Sequence, residues 1–241
     1  VEEYRARGHM EGLAASPPLH DPAPGIGGLM GLGNLLYRCP RCGADPVEGE
    51  KDRVGCPSCG RTFERGRKGL EILETERGGR PVSVPAWRLT EAIRRLGGPL
   101  TRATTSAGAI RDAAQVRFRR ALAEEPVHFS GRLLGFSETR SEEAEGELEV
   151  TGRSVSLVSG EGREVWDLLD LLALQTSSSS VQISTRDGGV VQFKFLGDSS
   201  RRWEDLLKVL VARAWREAGR GEIVEFQPRI VTSGRPTGRA S

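Results

Sequence analysis

Four cysteines are the residues of this chain best placed to do chemistry, and they are all the cysteines it has. They stand as Cys39-Pro40-Arg41-Cys42 and, after thirteen residues, Cys56-Pro57-Ser58-Cys59. A CxxC step brings two thiolates to the tip of one tight turn. Two such turns supply four sulfurs, the donor set of a tetrahedral zinc site. Each pair is followed by a glycine, Gly43 or Gly60, which lacks a Cβ and lets the turn take positive φ. That conformation aims backbone N–H groups at the sulfurs and spreads the thiolate charge. The expectation is a structural zinc ion on Cys39, Cys42, Cys56 and Cys59. Iron suits the same sulfurs, and zinc is the commoner structural choice. A disulfide framework belongs to shorter secreted chains, and a redox CxxC belongs at a helix start in a βαβ setting that these turns lack. Four protein ligands leave no position for water, so such a site folds its segment and does no chemistry.

Nothing else in the chain reads as a reaction centre. There is no GxSxG elbow, P-loop, HExxH or GxGxxG opening a βαβ unit. His9 and His20 lie in a Pro- and Gly-rich stretch, and His128 stands at the start of an expected strand with no evident carboxylate partner. Acidic pairs such as Glu142-Glu143 fall in an expected turn and read as solvated.

The elements that must position the cysteines are short. Leu35–Arg38 is expected as a strand leading into the first turn, Arg53–Gly55 leads into the second, and Arg61–Phe63 leaves it. This is the hairpin pair of a zinc ribbon over 34–66, with the metal replacing a core too small to fold by itself. Leu70–Leu73 adds a strand, and Pro81 to Pro85 is extended because proline biases its predecessor out of α. Trp87, Leu89, Ile93 and Leu96 fit a short helix ended by Gly97-Gly98-Pro99. A second helix is expected over 109–125, from Ile110, Ala114, Val116–Phe118 and Leu122, with a basic face of Arg111, Arg117, Arg119 and Arg120.

From Val127 the apolar period becomes two. Strands are expected at 127–136, 146–151, 154–159, 163–166, 171–176, 181–186 and 190–196. A helix begins at Asp198-Ser199-Ser200 and carries Trp203, Leu206, Leu207, Leu210 and Ala214 on one stripe. Seven antiparallel strands followed by one helix resemble a pleckstrin-homology-like barrel, whose helix plugs an open end and would hold Trp203 in the core. The fold class is therefore α+β. It comprises a tail over 1–33, the zinc ribbon over 34–66, a connector with two helices over 67–126, the β domain over 127–219, and a tail over 220–241 with one strand near Ile223–Phe226.

Charge and composition narrow the partners. Thirty-five basic against thirty-three acidic residues give a net charge of +2, which supplies no whole-chain attraction to nucleic acid or anionic membrane. Around the ribbon, Arg38, Arg41, Arg53, Arg61, Arg65, Arg67 and Lys68 are interleaved with Asp45, Glu48, Glu50, Asp52 and Glu64, and read as solvated charge. The barrel resemblance implies a lipid head group held by basic residues on the first two strands and their loop. Here that loop, Glu138 to Glu145, is net acidic, which disfavours phosphoinositide. Protein or intramolecular docking is the expected partner class. No signal peptide or long apolar run is present, and cysteines gathered at one metal site fit a cytoplasmic setting.

The run Leu35-Leu36-Tyr37-Arg38-Cys39-Pro40-Arg41-Cys42-Gly43, with Val82-Ser83-Val84-Pro85-Ala86-Trp87 after it, resembles a region of some bacterial lysophospholipid acyltransferases of the 1-acyl-glycerol-3-phosphate type. In those proteins a zinc ribbon and a β-rich domain follow the catalytic domain. The resemblance implies an accessory region of a phospholipid-synthesis enzyme, here a fragment associated with membrane through an upstream domain. The family's His-x4-Asp motif is absent, since the fifth residues after His9, His20 and His128 are Ala14, Gly25 and Leu133. The expected function is thus a non-catalytic zinc-binding docking or regulatory module. The alternative is a stand-alone zinc-ribbon protein binding nucleic acid or a transcription partner.

Overall fold

Apolar side chains gather into two clusters, one between residues 32 and 93 and one between residues 116 and 211. The structure, a computed structural model, describes residues 31–67, 70–96, 103–104, 110–177, 179–187, 189–227 and 229–233. The expected tail up to residue 30, with His9 and His20, and most of the linker around 97–109 lie outside these residues. The architecture is α+β with antiparallel sheets, one of them curled into a half-barrel against a C-terminal helix.

The first cluster is built by a helical turn, α1 (Leu32–Leu35), and five strands: β1 (Glu48–Glu50), β2 (Arg53–Gly55), β3 (Thr62–Arg65), β4 (Glu71–Thr75) and β5 (Val82–Pro85). They pair in sequence order as an antiparallel meander. Val54 and Phe63 are directly opposed across β2 and β3, and both are buried. Helix α2 (Ala86–Arg95) lays Leu89 and Ile93 into this core and leaves Trp87 exposed. The sheet thus continues well past residue 66. The strand expected at Leu35–Arg38 is a correction. Leu32 N–H donates to the Lys51 carbonyl and Leu36 N–H to that of Leu32, both at 2.8 Å, closing α1 instead. Leu36 and Tyr37 are both buried. Leu36 and Tyr37 lie between α1 and the first cysteine turn, outside any strand.

Residues 109–125 are also corrected, from helix to strand. After the short β6 (Ala103–Thr104), β7 runs unbroken from Ile110 to Phe129. Ile110, Ala114, Phe118 and Leu122 are spaced by four, which fits one helix face but is equally two strand periods. Burial decides it: Asp112, Val116 and Phe118 are buried, while Arg111, Ala113, Gln115 and Arg119 are exposed. Arg111, Arg117 and Arg119 of the supposed basic helix face lie on the outer face of a sheet, where Gln115 and Arg117 stand opposite Glu147 and Glu145 and bond to them. Such cross-strand pairs hold register. The strand expected over 127–136 is split by a turn at Ser130-Gly131, and β8 (Arg132–Arg140) returns along β7.

The remaining strands follow the expected periods closely: β9 (Ala144–Thr151), β10 (Ser154–Ser159), β11 (Gly162–Asp167), β12 (Leu171–Thr176), β13 (Ser180–Thr185) and β14 (Val190–Phe195). Their order across the sheet is β11-β10-β9-β7-β14-β13-β12. Val181, Ile183, Val191, Phe193 and Phe195 all face the core. Helix α3 (Ser200–Glu217) covers it with Trp203, Leu206, Leu207, Leu210 and Val211. Trp203 is fully buried, stacks on Phe195 at 5.2 Å between ring centroids, and donates its indole N–H to Asp198 at 2.8 Å. A final hairpin, β15 (Glu222–Glu225) with β16 (Val231–Ser233), lies beside the edge strand β12, where Leu174 N–H donates to the Phe226 carbonyl and Ile230 N–H to that of Leu172. No helix among the described residues is long and apolar enough to cross a membrane.

Candidate metal centre

The two CxxC turns fold alike. In the first, Cys39 N–H donates to the Ala44 carbonyl at 2.8 Å and Gly43 N–H to that of Cys39 at 2.9 Å. In the second, Cys56 N–H donates to the Arg61 carbonyl and Gly60 N–H to that of Cys56, at the same two distances. Gly43 and Gly60 have φ of 78° and 69°, the left-handed region that the sequence expectation assigned them. Cys59 N–H points at the Cys56 sulfur, 3.5 Å away.

The four sulfurs lie within 4.8 Å of one another, with 3.7 Å between Cys39 and Cys59 and 3.5 Å between Cys42 and Cys56. Four sulfurs at a zinc–sulfur bond of about 2.3 Å would be separated by about 3.8 Å along each tetrahedral edge. A disulfide would need about 2.05 Å. The spacing suits four ligands of one ion and the cluster could hold a metal ion. Burial pushes the Cys39 thiol up to about 12. Desolvation also raises Cys56, but the Cys59 N–H and the neighbouring thiols outweigh it and bring that group down to about 7.

One further residue holds the two turns together. Glu74 on β4 is buried, and its carboxylate accepts from Arg41, between the first two cysteines, at 2.7 Å and from Arg61, just past the second turn, at 2.9 Å. The Arg41 hydrogen bond holds the Glu74 carboxyl below the usual carboxylate range. Sequence reasoning passed over Glu74. Its signal was a charged residue two positions from Ile72 on a strand, hence on the core-facing side.

A second polar cluster, equally unforeseen, joins the cysteine-bearing segment to α3. Ser199 caps the helix by accepting from Arg202 N–H at 3.1 Å and donates to the Asn34 carbonyl at 2.7 Å. Ser200 donates to Asn34 Oδ1 at 3.1 Å, and the Tyr37 hydroxyl donates to Asp205 at 3.0 Å. Burial pushes the Asp205 carboxyl and the Tyr37 hydroxyl above their ordinary values. Arg202, fully buried, lies among Asp198 at 2.9 Å, Asp112 on β7, and Asp45 at 3.7 Å from the loop after the first turn.

Several of the basic residues around the turns are paired. Arg53 pairs with Glu64, Arg65 with Asp52, and the Arg38 guanidinium donates to the Gly43 carbonyl. His128 lies exposed on β7, away from the cysteines in the fold's pairing. Beside the first turn, Pro40, Trp87, Arg88, Glu91, Arg95 and Leu96 line a groove of about 550 Å³. Compared with known proteins, the chain matches no family model and no curated protein.

Proposed function

We propose that this chain is a non-catalytic, zinc-binding docking and regulatory module. The observation that carries the reading is the cluster of four sulfurs. Two turns of like geometry bring four thiols within 4.8 Å of one another, and an ion ligated by all four would have no position left for substrate. The short meander carrying the turns supports a zinc ribbon, and the order β11-β10-β9-β7-β14-β13-β12 ending in α3 supports a pleckstrin-homology-like barrel. Docking is supported by the groove beside Pro40. It exposes Trp87 with the Arg88 guanidinium 5.4 Å above its ring, and Trp and Arg are the residue types that anchor protein interfaces. The host we propose is a lysophospholipid acyltransferase of the kind that Leu35–Gly43 resembles, with the module beside its catalytic domain.

The chain purified with zinc in the medium is expected to carry one zinc per molecule by elemental analysis; visible thiolate-to-iron absorption would reassign the metal. Mixed with a separately produced catalytic domain of that enzyme class, it is expected to co-elute and to alter acyl-transfer kinetics while transferring nothing itself. Tight binding to oligonucleotides that weakens steeply with salt would overturn the docking reading in favour of nucleic acid.

A further inference from the structure

A two-stranded arm leaves the half-barrel. β7 pairs with β9 as far as Phe118 opposite Ala144, and with β14 as far as Arg120 opposite Val191. From Ala121 to Phe129 its partner is β8, so nine residues of strand reach about 30 Å beyond the sheet. The turn at the tip, Ser130-Gly131, has φ of 49° and 75°, the positive pair that matches strand twist in a two-residue hairpin. A two-stranded hairpin in water is marginal without a layer over one face.

The side chains at the end of this arm are apolar and open to solvent. Phe129, the last strand residue before the turn, is 66% exposed, and Val127 is also exposed. Between Pro126 and Ser137 the sequence holds no carboxylate, and its one arginine or lysine is Arg132, directly opposite Phe129. Carboxylates resume at Glu125 and Glu138. Glu125 is four residues, about 13 Å, back from Phe129. Interfacial segments bury their apolar side chains about 5–10 Å into the boundary between head groups and acyl chains. At that depth Phe129 and Val127 enter the boundary, Arg132 meets the phosphates, and Glu125 stays in water.

The geometry points to this arm as a wedge that inserts its tip into an anionic phospholipid bilayer. A protein adding a strand would use the hairpin's backbone edge and cover one face. Here both faces of the tip are exposed, with Val127 and Phe129 on one and Pro126 and His128 on the other. Exposure on both faces suits a medium that surrounds the tip. The wedge requires neither the metal nor the docking groove, so it stands or falls apart from the proposed function.

The test is flotation of the full chain with vesicles of phosphatidylcholine and phosphatidylglycerol at about 7:3. Phe129→Asp is expected to lower the partition coefficient by about 10-fold or more, and Arg132→Glu to remove the preference over pure phosphatidylcholine vesicles. Leu70→Asp, at a residue 83% exposed elsewhere on the surface, is expected to leave binding unchanged. As a conservative probe, Phe129→Trp is expected to shift its emission to the blue and be quenched by brominated acyl chains. The proposal is overturned if the parent chain does not float, if Phe129→Asp floats equally well, or if Leu70→Asp is as damaging. A dimer that Phe129→Asp dissociates in sedimentation equilibrium, without vesicle binding, would assign the tip to a second copy of the chain instead.

Discussion

Two carboxylates show how single residues set the stability of this chain. Glu74 receives an arginine from each cysteine turn, so it fixes their separation from outside the sulfur cluster. Outer partners of metal ligands commonly govern affinity by 10-fold or more. If the cluster holds a metal ion, Glu74→Gln is therefore expected to weaken its retention by about 10-fold in competition with a chromogenic chelator, with the stoichiometry unchanged. Glu149 does similar work in the half-barrel, where it accepts from Arg163 at 2.6 Å and Arg111 at 3.1 Å. Chiefly the Arg163 hydrogen bond holds its carboxyl below the usual range. A depressed carboxylate stabilises the fold above its ordinary titration range and ceases to do so as pH falls through its lowered value. Glu149→Gln is thus expected to lower Tm by about 2–4 °C at pH 7. Calorimetry on a pH series should show that gap closing below about pH 4.

At the scale of elements, the start of α3 is where the two cores meet. Its N-cap serine also bonds Asn34, and Arg202 draws together carboxylates from β7, from the helix's own approach and from the loop after Cys42. Removing one partner of a buried ion cluster leaves charges without compensation. Arg202→Met is therefore expected to cost about 3–5 kcal/mol in urea unfolding, although methionine would fit the stripe that runs through Leu206 and Leu210. A loss under about 1 kcal/mol would mean that the three aspartates are stabilised by solvent rather than by Arg202. Ser199→Ala removes the cap and the tie to Asn34 together, and is expected to cost about 1–2 kcal/mol by the same measurement.

For the whole molecule, the consequence is a coupling between the cysteine cluster and the interface. Tyr37 and Asp45, two of the groups that touch α3, flank the first cysteine turn on either side. With no metal ion on its cysteines, the first turn would lose the constraint on both. The half-barrel has its own core of nineteen buried residues, and it owes none of these to the cysteine segment. Chelation, or Cys42→Ser, is expected to abolish amide protection over β1 to β5 and to expose the start of α3. Protection in β9, β10, β13 and β14 should persist. Hydrogen exchange that remained slow in β2 and β3 without metal would show that Phe63, Val54 and Leu89 hold the first sheet unaided.

The sequence by itself determined the features that rest on local repeats. Cysteine spacing and the two glycines specify the turns, because a CxxC turn and its positive φ are settled within five residues. The strands from Ala144 to Phe195 and the helix capped by Ser199 were legible because their apolar periods of two and 3.6 are unambiguous over several turns or strand steps. Tertiary structure alone decided the rest. Ile110, Ala114, Phe118 and Leu122 satisfy either period, and only pairing with β9 and β14 made that segment a strand. Leu35–Tyr37 is too short to show a period, and Leu35 closes α1, whose first residue Leu32 donates to the Lys51 carbonyl nineteen residues away. Glu74 and Arg202 found partners 33 and 90 residues distant. A buried charge is permitted only where such partners converge, and that convergence is a property of the packed chain.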